Sequence, residues 1–535
     1  MSNVYGEKHR RGVIWRAGLL ALVATVGIGS AAGSASAQTP RPRLESAAGV
    51  ALTNGSLYNV VDQIGARSLW KKGFTGQGIG VAVIDTGVAD VAPLQGATKV
   101  TALVDLTGEA AVPQAQFRDT FGHGTHMAGI IAGRDPGADP SRAKNNPGWF
   151  LGVAPDASII SVKVGDNSGA VDVTQVIAGI DWVVENASLY NIRVISLSYG
   201  SGSYLPYNTD PVTAAVERAW FAGIVVVVAA GNDGRGARLL GTPANDPYVI
   251  AVAAAELKNN GSWKVPQWAT SGDGTRNPDL TAPGTSIVSL RAPGSRIDVE
   301  HSEGYVSPAL FKGSGSSQAT AVTAGAVALL LSARPTLTPD QVKAILRSSA
   351  NKEFIRPIND RFSGEGLLQI DDALATQAPK ASAARQTWAV SNGSGSLDQA
   401  RGDTRVVING QILSGEVTVT GAPWNGSRWT GSRWTAGNWD GSRWTASSWL
   451  GSRWTSGSWT GSRWTGSRWT GMSFTSGSWT GDAWTSGSWT GSRWTGSRWT
   501  DASWTSVTWD GSRWTGSRWT DAGWTGSRWT DAAWS

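Results

Sequence analysis

The chain of 535 residues contains no cysteine. That absence excludes a disulfide scaffold, a thiolate nucleophile and any zinc or iron–sulfur site built on Cys ligands. Histidine is nearly as scarce, with 4 in the chain, so chemistry that needs an imidazole has few candidates. Charged residues make up 16%, below the roughly 25% usual for globular chains. The net charge of +6 resides at the two ends. Lys8, Arg10, Arg11 and Arg16 oppose Glu7 near the start, eleven Arg oppose six Asp from residue 424 onward, and the centre is slightly acidic. The centre thus lacks the basic excess of a nucleic-acid-binding domain, and no nucleic-acid partner is expected. Gly, at 68, and Trp, at 30, are abundant instead and unevenly spread, as if two materials were joined. The length allows three or four domain-sized units.

A basic start ending at Arg16 is followed by an apolar run from Ala17 to Ala32 and by Ala35-Ser36-Ala37, the small-x-small pattern of a signal-peptidase site. This predicts export with cleavage after Ala37. Sixteen residues containing Gly and Ser fall short of the roughly 20 that span a bilayer, and no later stretch reads as a membrane span.

From Gly78 to about Ala350, short β-branched apolar runs alternate with amphipathic segments, the pattern of parallel strands joined by crossover helices. Strands are expected at Val81–Ile84, Ser158–Val164, Val194–Ser198, Ile224–Ala230 and Val249–Ala253, nearly continuous apolar runs as in strands covered on both faces. Helices are expected at Val173–Asn186, Pro211–Phe221, Gln318–Arg334 and Pro339–Ser348, the last capped by Thr338. The predicted fold class is α/β with a doubly wound, mainly parallel sheet. In such sheets ligands bind beyond the carboxyl ends of the strands.

Four polar groups fall at those places. Asp85 ends a strand in V-I-D-T-G, His123 opens G-H-G-T-H-M-A-G, Asn232 follows I-V-V-V-V-A-A-G, and Ser317 lies in G-S-G-S-S-Q-A-T-A. Each alone is compatible with a turn or a helix cap. Together they form the set that nucleophilic acyl transfer requires: a hydroxyl, an imidazole base, a carboxylate to orient it and an amide donor for the oxyanion. An α/β-hydrolase places its His after its Ser, and no His follows Ser317. The base must then be His123, His126 or His301. His301 sits in no motif, and of His123 and His126, one helical turn apart, one is expected to face the cleft and the other to pack behind it.

The ordered set V-A-V-I-D-T-G, G-H-G-T-H-M-A-G, V-I-S-L-S-Y-G, V-V-A-A-G-N, T-A-P-G-T and G-S-S-Q-A-T-A resembles that of the subtilisin-like serine peptidases over about Ile64 to Ala350. The resemblance implies Asp85 as orienting carboxylate, His123 as general base, Ser317 as nucleophile and Asn232 as oxyanion donor, with His126 structural. It implies that Ser198, Tyr199 and Gly200 pair with substrate backbone, with Gly231 lining the same site. Protein or peptide substrates follow. No metal or organic cofactor takes part in the chemistry, and calcium is implied only as a structural ion without assigned ligands. Two departures stand out. Ser316, Gln318 and Ala321 replace the usual Thr, Met and Pro around the nucleophile. Between Ala37 and Ile64 there is too little chain for a folded propeptide.

The expected organisation is a signal over 1–37, a short segment over 38–63, a peptidase domain over 64–384, a small β segment over 385–423 with strands at Arg405–Ile408 and Glu416–Thr420, and a repeat tail over 424–535. In the tail every fifth position from Trp424 to Trp534 is Trp, except Phe474. A period of five builds no single aromatic face on a strand or a helix, and Gly, Ser and Thr disfavour helix. A four-sided β-solenoid with one side per pentad would make every Trp equivalent, as would suit a pattern resembling the pentapeptide repeats; a low-complexity tail is the alternative. The tail resembles the Trp-rich pentad tails of secreted actinobacterial subtilases. Its Trp and Arg residues suit a cell-wall polymer or glycan, so the competing functional reading is an inactive or weak relative acting mainly as a surface-binding module.

Overall fold

The computed structural model describes residues 52–424, except 108, 110–118, 238, 354, 357–358, 409–410, 420 and 422, together with short strands of the repeat between 438 and 520. The expected signal over 1–37 and the first part of the 38–63 segment lie outside the described residues.

Strands β1 (Gly80–Asp85), β2 (Val100–Asp105), β3 (Ser158–Lys163), β4 (Ile192–Leu197), β5 (Val225–Ala229), β6 (Ile250–Leu257), β7 (Trp263–Lys264), β8 (Leu280–Pro283) and β12 (Ile355–Arg356) form one sheet. Its order is β12-β7-β6-β5-β4-β1-β3-β2, with β8 also paired to β6. All central pairs are parallel, and only β7 runs antiparallel to β6. Strands β1 and β5 read as continuous apolar runs because neighbours cover both faces, and Val81 and Val225–Val228 are fully buried. A second sheet comprises β9 (Ile287–Leu290), β10 (Tyr305–Ser307) and β11 (Leu310–Gly313).

Helix α3 (His123–Ala132) packs on α7 (Ser316–Ala333), and α4 (Val173–Asn186) packs on α5 (Pro211–Phe221). The predicted ends of α4 and α5 coincide with the observed ones because acidic caps start both helices: Asp172 accepts from Thr174 N, and Asp210 accepts from Val212 N. Thr338 and Gln341 form a capping box for α8 (Pro339–Ser349). Helix α7 corrects the expectation that no stretch beyond the start is apolar enough to cross a membrane. Among the described residues it passes that test by length and composition, but 83% of it is buried in the protein. Its hydropathy is that of a central core helix touching β4, β5, β6 and β8.

Helices α1 (Leu57–Gln63) and α2 (Ala66–Lys71) bury Leu57, Val60, Leu69 and Trp70 in the main core, so packed structure begins before the boundary expected at Ile64. Further along the chain, Leu397 is part of this core and Trp424 packs against it. Of the strands expected there, Val407–Ile408 pairs with Gln411–Ile412, whereas Glu416–Thr420 is reduced to a single bridge from Val417 to Pro423. The rest is built around the helix Leu397–Arg401. In the repeat, described strands pair in parallel. Trp454 lies beside Trp469 and Trp469 beside Trp484, three pentads on, while Trp494 lies beside Trp514 and Trp499 beside Trp519, four pentads on.

Candidate active site

Strand order determines where a site can form. The chain leaves β1 toward β2 and β3 on one side and later returns to β4 on the other, so the carboxyl end of β1 is the switch point of the sheet. Asp85 is the last residue of that strand and is buried. His123 is the first residue of α3, and its Nδ1 lies 2.8 Å from Asp85 Oδ1 and 2.9 Å from Oδ2. Gly124 permits this approach. A Cβ there would sit 2.1 Å from the Gly87 carbonyl oxygen, so any larger residue would drive α3 away from β1.

Burial, which alone would lower the His123 pKa, is outweighed by the charge and hydrogen bond of Asp85, with Asp119 adding; the imidazole ends above its ordinary value. Asp119 is a residue the sequence reading missed. It is buried, and it accepts hydrogen bonds from Gly122 N (2.7 Å), Thr125 N (2.7 Å), Thr125 Oγ1 and Thr86 Oγ1 (2.9 Å). It therefore caps α3, while Thr86 bridges it to Asp85 by donating its backbone N–H to Asp85 Oδ1 at 2.8 Å. No sequence signal marks it, because the N-cap position before α3 is Gly122 and Asp119 reaches the helix start from three residues further back.

Ser317 is the second residue of α7, where first-turn N–H groups have no helical partner. Asn232 follows β5 and is turned toward that turn: its Oδ1 accepts from Ser316 N at 2.9 Å. The bond fixes the amide plane and leaves Nδ2 of this exposed residue as a donor. Gly231, at φ +115, gives its N–H to Ser316 Oγ at 3.2 Å, so the loop after β5 and the start of α7 are tied at two points. Ser198 Oγ reaches the Ser317 carbonyl at 3.4 Å. Tyr199 is half-buried, and Gly200 is exposed. Among the described residues no hydrogen bond joins Ser317 Oγ to His123. In ligand-free acyl-transfer sites that contact is often looser than in the complex.

His126 packs behind the pair, as expected from its position one turn along. Its ring is buried, and both nitrogens face the Ile287 and Phe311 backbone without a well-formed hydrogen bond. Burial, and next the nearby His123, push its pKa down to about 4. His301 lies on the surface, paired with Glu303 at 3.0 Å and remote from any motif. A recess beside His123 is lined by His126, Leu290, Ile297, Phe311 and Gln318. The described residues gather no group of three or more His, Asp or Glu side chains of the kind that holds a metal ion.

The His126 ring has a measurable consequence. An unfolded His takes up its proton near pH 6.5, whereas this one resists until about 4. Over that interval the unfolded chain binds more protons, so stability falls as pH is lowered through it. Thermal melts at pH 7 and 4.5 should show a loss of about 2 kcal/mol assignable to this residue. A folded His126→Asn variant should lack that component, and an unchanged pH dependence would contradict the assignment.

The sequence matches the subtilase family profile over residues 76–395. It is 36% identical over 294 residues to serine protease AprX of Bacillus subtilis, an alignment covering 52% of this chain and 62% of AprX. It is 34% identical over 320 residues to subtilisin E of the same organism, covering 58% of this chain and 70% of that protein. Its identity to the minor extracellular protease Epr, also of B. subtilis, is 31% over 334 residues, covering 62% of this chain and 44% of Epr. With more than half of its length matched by the family profile, and with Asp85, His123, Asn232 and Ser317 falling in that region, the chain belongs to the subtilase family.

Proposed function

We propose that the protein is a secreted serine endopeptidase in which Ser317 attacks the scissile carbonyl. His123 takes the hydroxyl proton and later gives it to the leaving amine, and Asp85 holds the imidazole tautomer and stabilises the imidazolium. The observation that carries this reading is the Asp85–His123 pair at the switch point of the sheet, held by Thr86 and Asp119. Asn232 Nδ2 and the Ser317 N–H supply the oxyanion donors, and Ser198–Gly200 pairs with the substrate backbone. Proteins are the substrate class, and the basic–apolar start together with the extracellular relative Epr supports export. The test is hydrolysis of casein by the purified protein and its loss after stoichiometric reaction with a serine-directed sulfonyl fluoride; casein left intact by folded protein would overturn the reading.

The oxyanion assignment is tested separately. Asn232→Ala should lower kcat by about 10²- to 10³-fold with little change in KM, because the donor acts on charge that exists only in the transition state. An equal change in KM and none in kcat would remove Asn232 from that role.

For the tail we propose a β-solenoid that attaches the enzyme to a cell-wall polymer or glycan. Support comes from parallel registers of three and four pentads, which bring Trp beside Trp in successive strands, and from the Arg that recurs before many of these Trp. A chain ending at Pro423 should cleave casein as the full chain does and lose retention on insoluble cell-wall material. Equal retention of both would exclude the tail as anchor.

A further inference from the structure

The side chain of Arg401 is fully buried, 229 residues from its ionic partner. Its Nε donates to Asp172 Oδ2 at 2.6 Å, with side-chain exposures of 0% and 1%, and its two Nη groups donate to the carbonyls of Gly415 and Val417. A buried guanidinium persists only when its charge and donors are all met, and here they tie residues 397–417 to the cap of α4. The segment they hold, 386–424, touches the chain that leaves the substrate-pairing strand. Gly402, at φ +56, packs so tightly that a Cβ there would lie 1.9 Å from the Gly202 carbonyl oxygen. Tyr204 N donates to the Gln399 carbonyl at 3.1 Å, and Gly395 N donates to the Thr209 carbonyl at 2.7 Å. On its other side this stretch is bridged from Ser201 to Thr242. The Tyr199 hydroxyl is enclosed near Ser201, Asp172 and Arg401; burial and then the Asp172 charge push its pKa up.

We propose that the segment 386–424 is a positioning strap for the substrate strand: the Arg401–Asp172 pair locks it down, and Gly402 and Gln399 set the path of residues 200–204, so that Ser198–Gly200 presents its backbone in the register an extended peptide needs. The proposal rests on the peptidase reading above. Arg401 is a positioning residue and touches no reacting atom. Its loss should weaken binding of peptides long enough to lie along the strand and spare the activation of Ser317.

The test uses the full-length protein carrying Arg401→Lys or Gly402→Ala, compared with wild type on a single-residue ester, a tetrapeptide amide and a fluorophosphonate probe. In folded variants KM for the tetrapeptide should rise about tenfold with kcat within about twofold, and the ester and the labelling rate should stay within about twofold. Equal proportional losses on ester and tetrapeptide, or no loss on either, overturn the strap. Amide exchange of unaltered protein decides the matter even if both variants misfold: a bound tetrapeptide aldehyde should slow exchange at 397–404 as well as 198–204, and slowing confined to 198–204 refutes the proposal. Wild type that neither hydrolyses the ester nor reacts with the probe marks failure of the peptidase reading instead.

Discussion

Replacing Ser317 with Ala is expected to lower peptide hydrolysis by about 10⁶-fold, because members of a triad act as a unit and loss of the nucleophile forfeits all of it. The substitution removes one oxygen from the first turn of α7, where Asn232 Oδ1 accepts from Ser316 N and Gly231 N donates to Ser316 Oγ. The fold should persist. The melting temperature should match that of wild type, and a residual activity of about 10³-fold over water should remain from the oxyanion donors and binding. Steady-state hydrolysis of a chromogenic peptide with a thermal melt on the same sample checks both statements. A loss of less than about a hundredfold would mean that another group performs the attack.

The second large effect concerns the carboxylate. Asp85→Asn should cost about 10⁴-fold in kcat, since an amide cannot hold the imidazole in the productive tautomer or stabilise its charged form. It also carries a signature in pH. His123 must be neutral to accept the proton, and the Asp85 charge and hydrogen bond hold its pKa above the ordinary value of 6.5 against the opposing effect of burial. The acidic limb of kcat/KM in wild type should therefore have its midpoint above 6.5. In the Asn variant the main raising influence is gone, with only the smaller one of Asp119 left against burial, so the residual activity should show that midpoint moved to lower pH. A midpoint that does not move would mean that the limb belongs to another group.

How much could be read without the fold varied with physical circumstance. Strands buried on both faces announce themselves as unbroken apolar runs, so β1, β3, β4 and β5 were legible within a few residues. Helices with strong caps, such as α4 with Asp172 and α5 with Asp210 and Pro211, were legible to the residue. Strand β2 was not, because it lies at the sheet edge, its faces are half exposed, and its sequence V-T-A-L-V-D gives no long run. The four groups proposed for the chemistry were legible because acyl transfer demands those residue types at strand ends and helix starts. Asp119 was missed because a cap looks like any loop carboxylate until its donors are seen. Arg401 was illegible for a stronger reason: an Arg in a polar stretch reads as solvated, and only the folded chain brings Asp172 to it. The pentad gave the tail's period, but the expectation of four sides holds only for some described pairs: Trp494 lies four pentads from its partner Trp514, whereas Trp454 lies three from Trp469.

The central claim is that Ser317 is a nucleophile activated by His123 and Asp85. The most direct measurement exposes purified wild type and the Ser317→Ala and Asp85→Asn variants to a fluorophosphonate probe and locates the adduct by peptide mass spectrometry. The account predicts rapid labelling of wild type on the peptide containing Ser317, none in Ser317→Ala and greatly slowed labelling in Asp85→Asn. Folded wild type that stays unlabelled, or labelling that survives in Ser317→Ala, would contradict it.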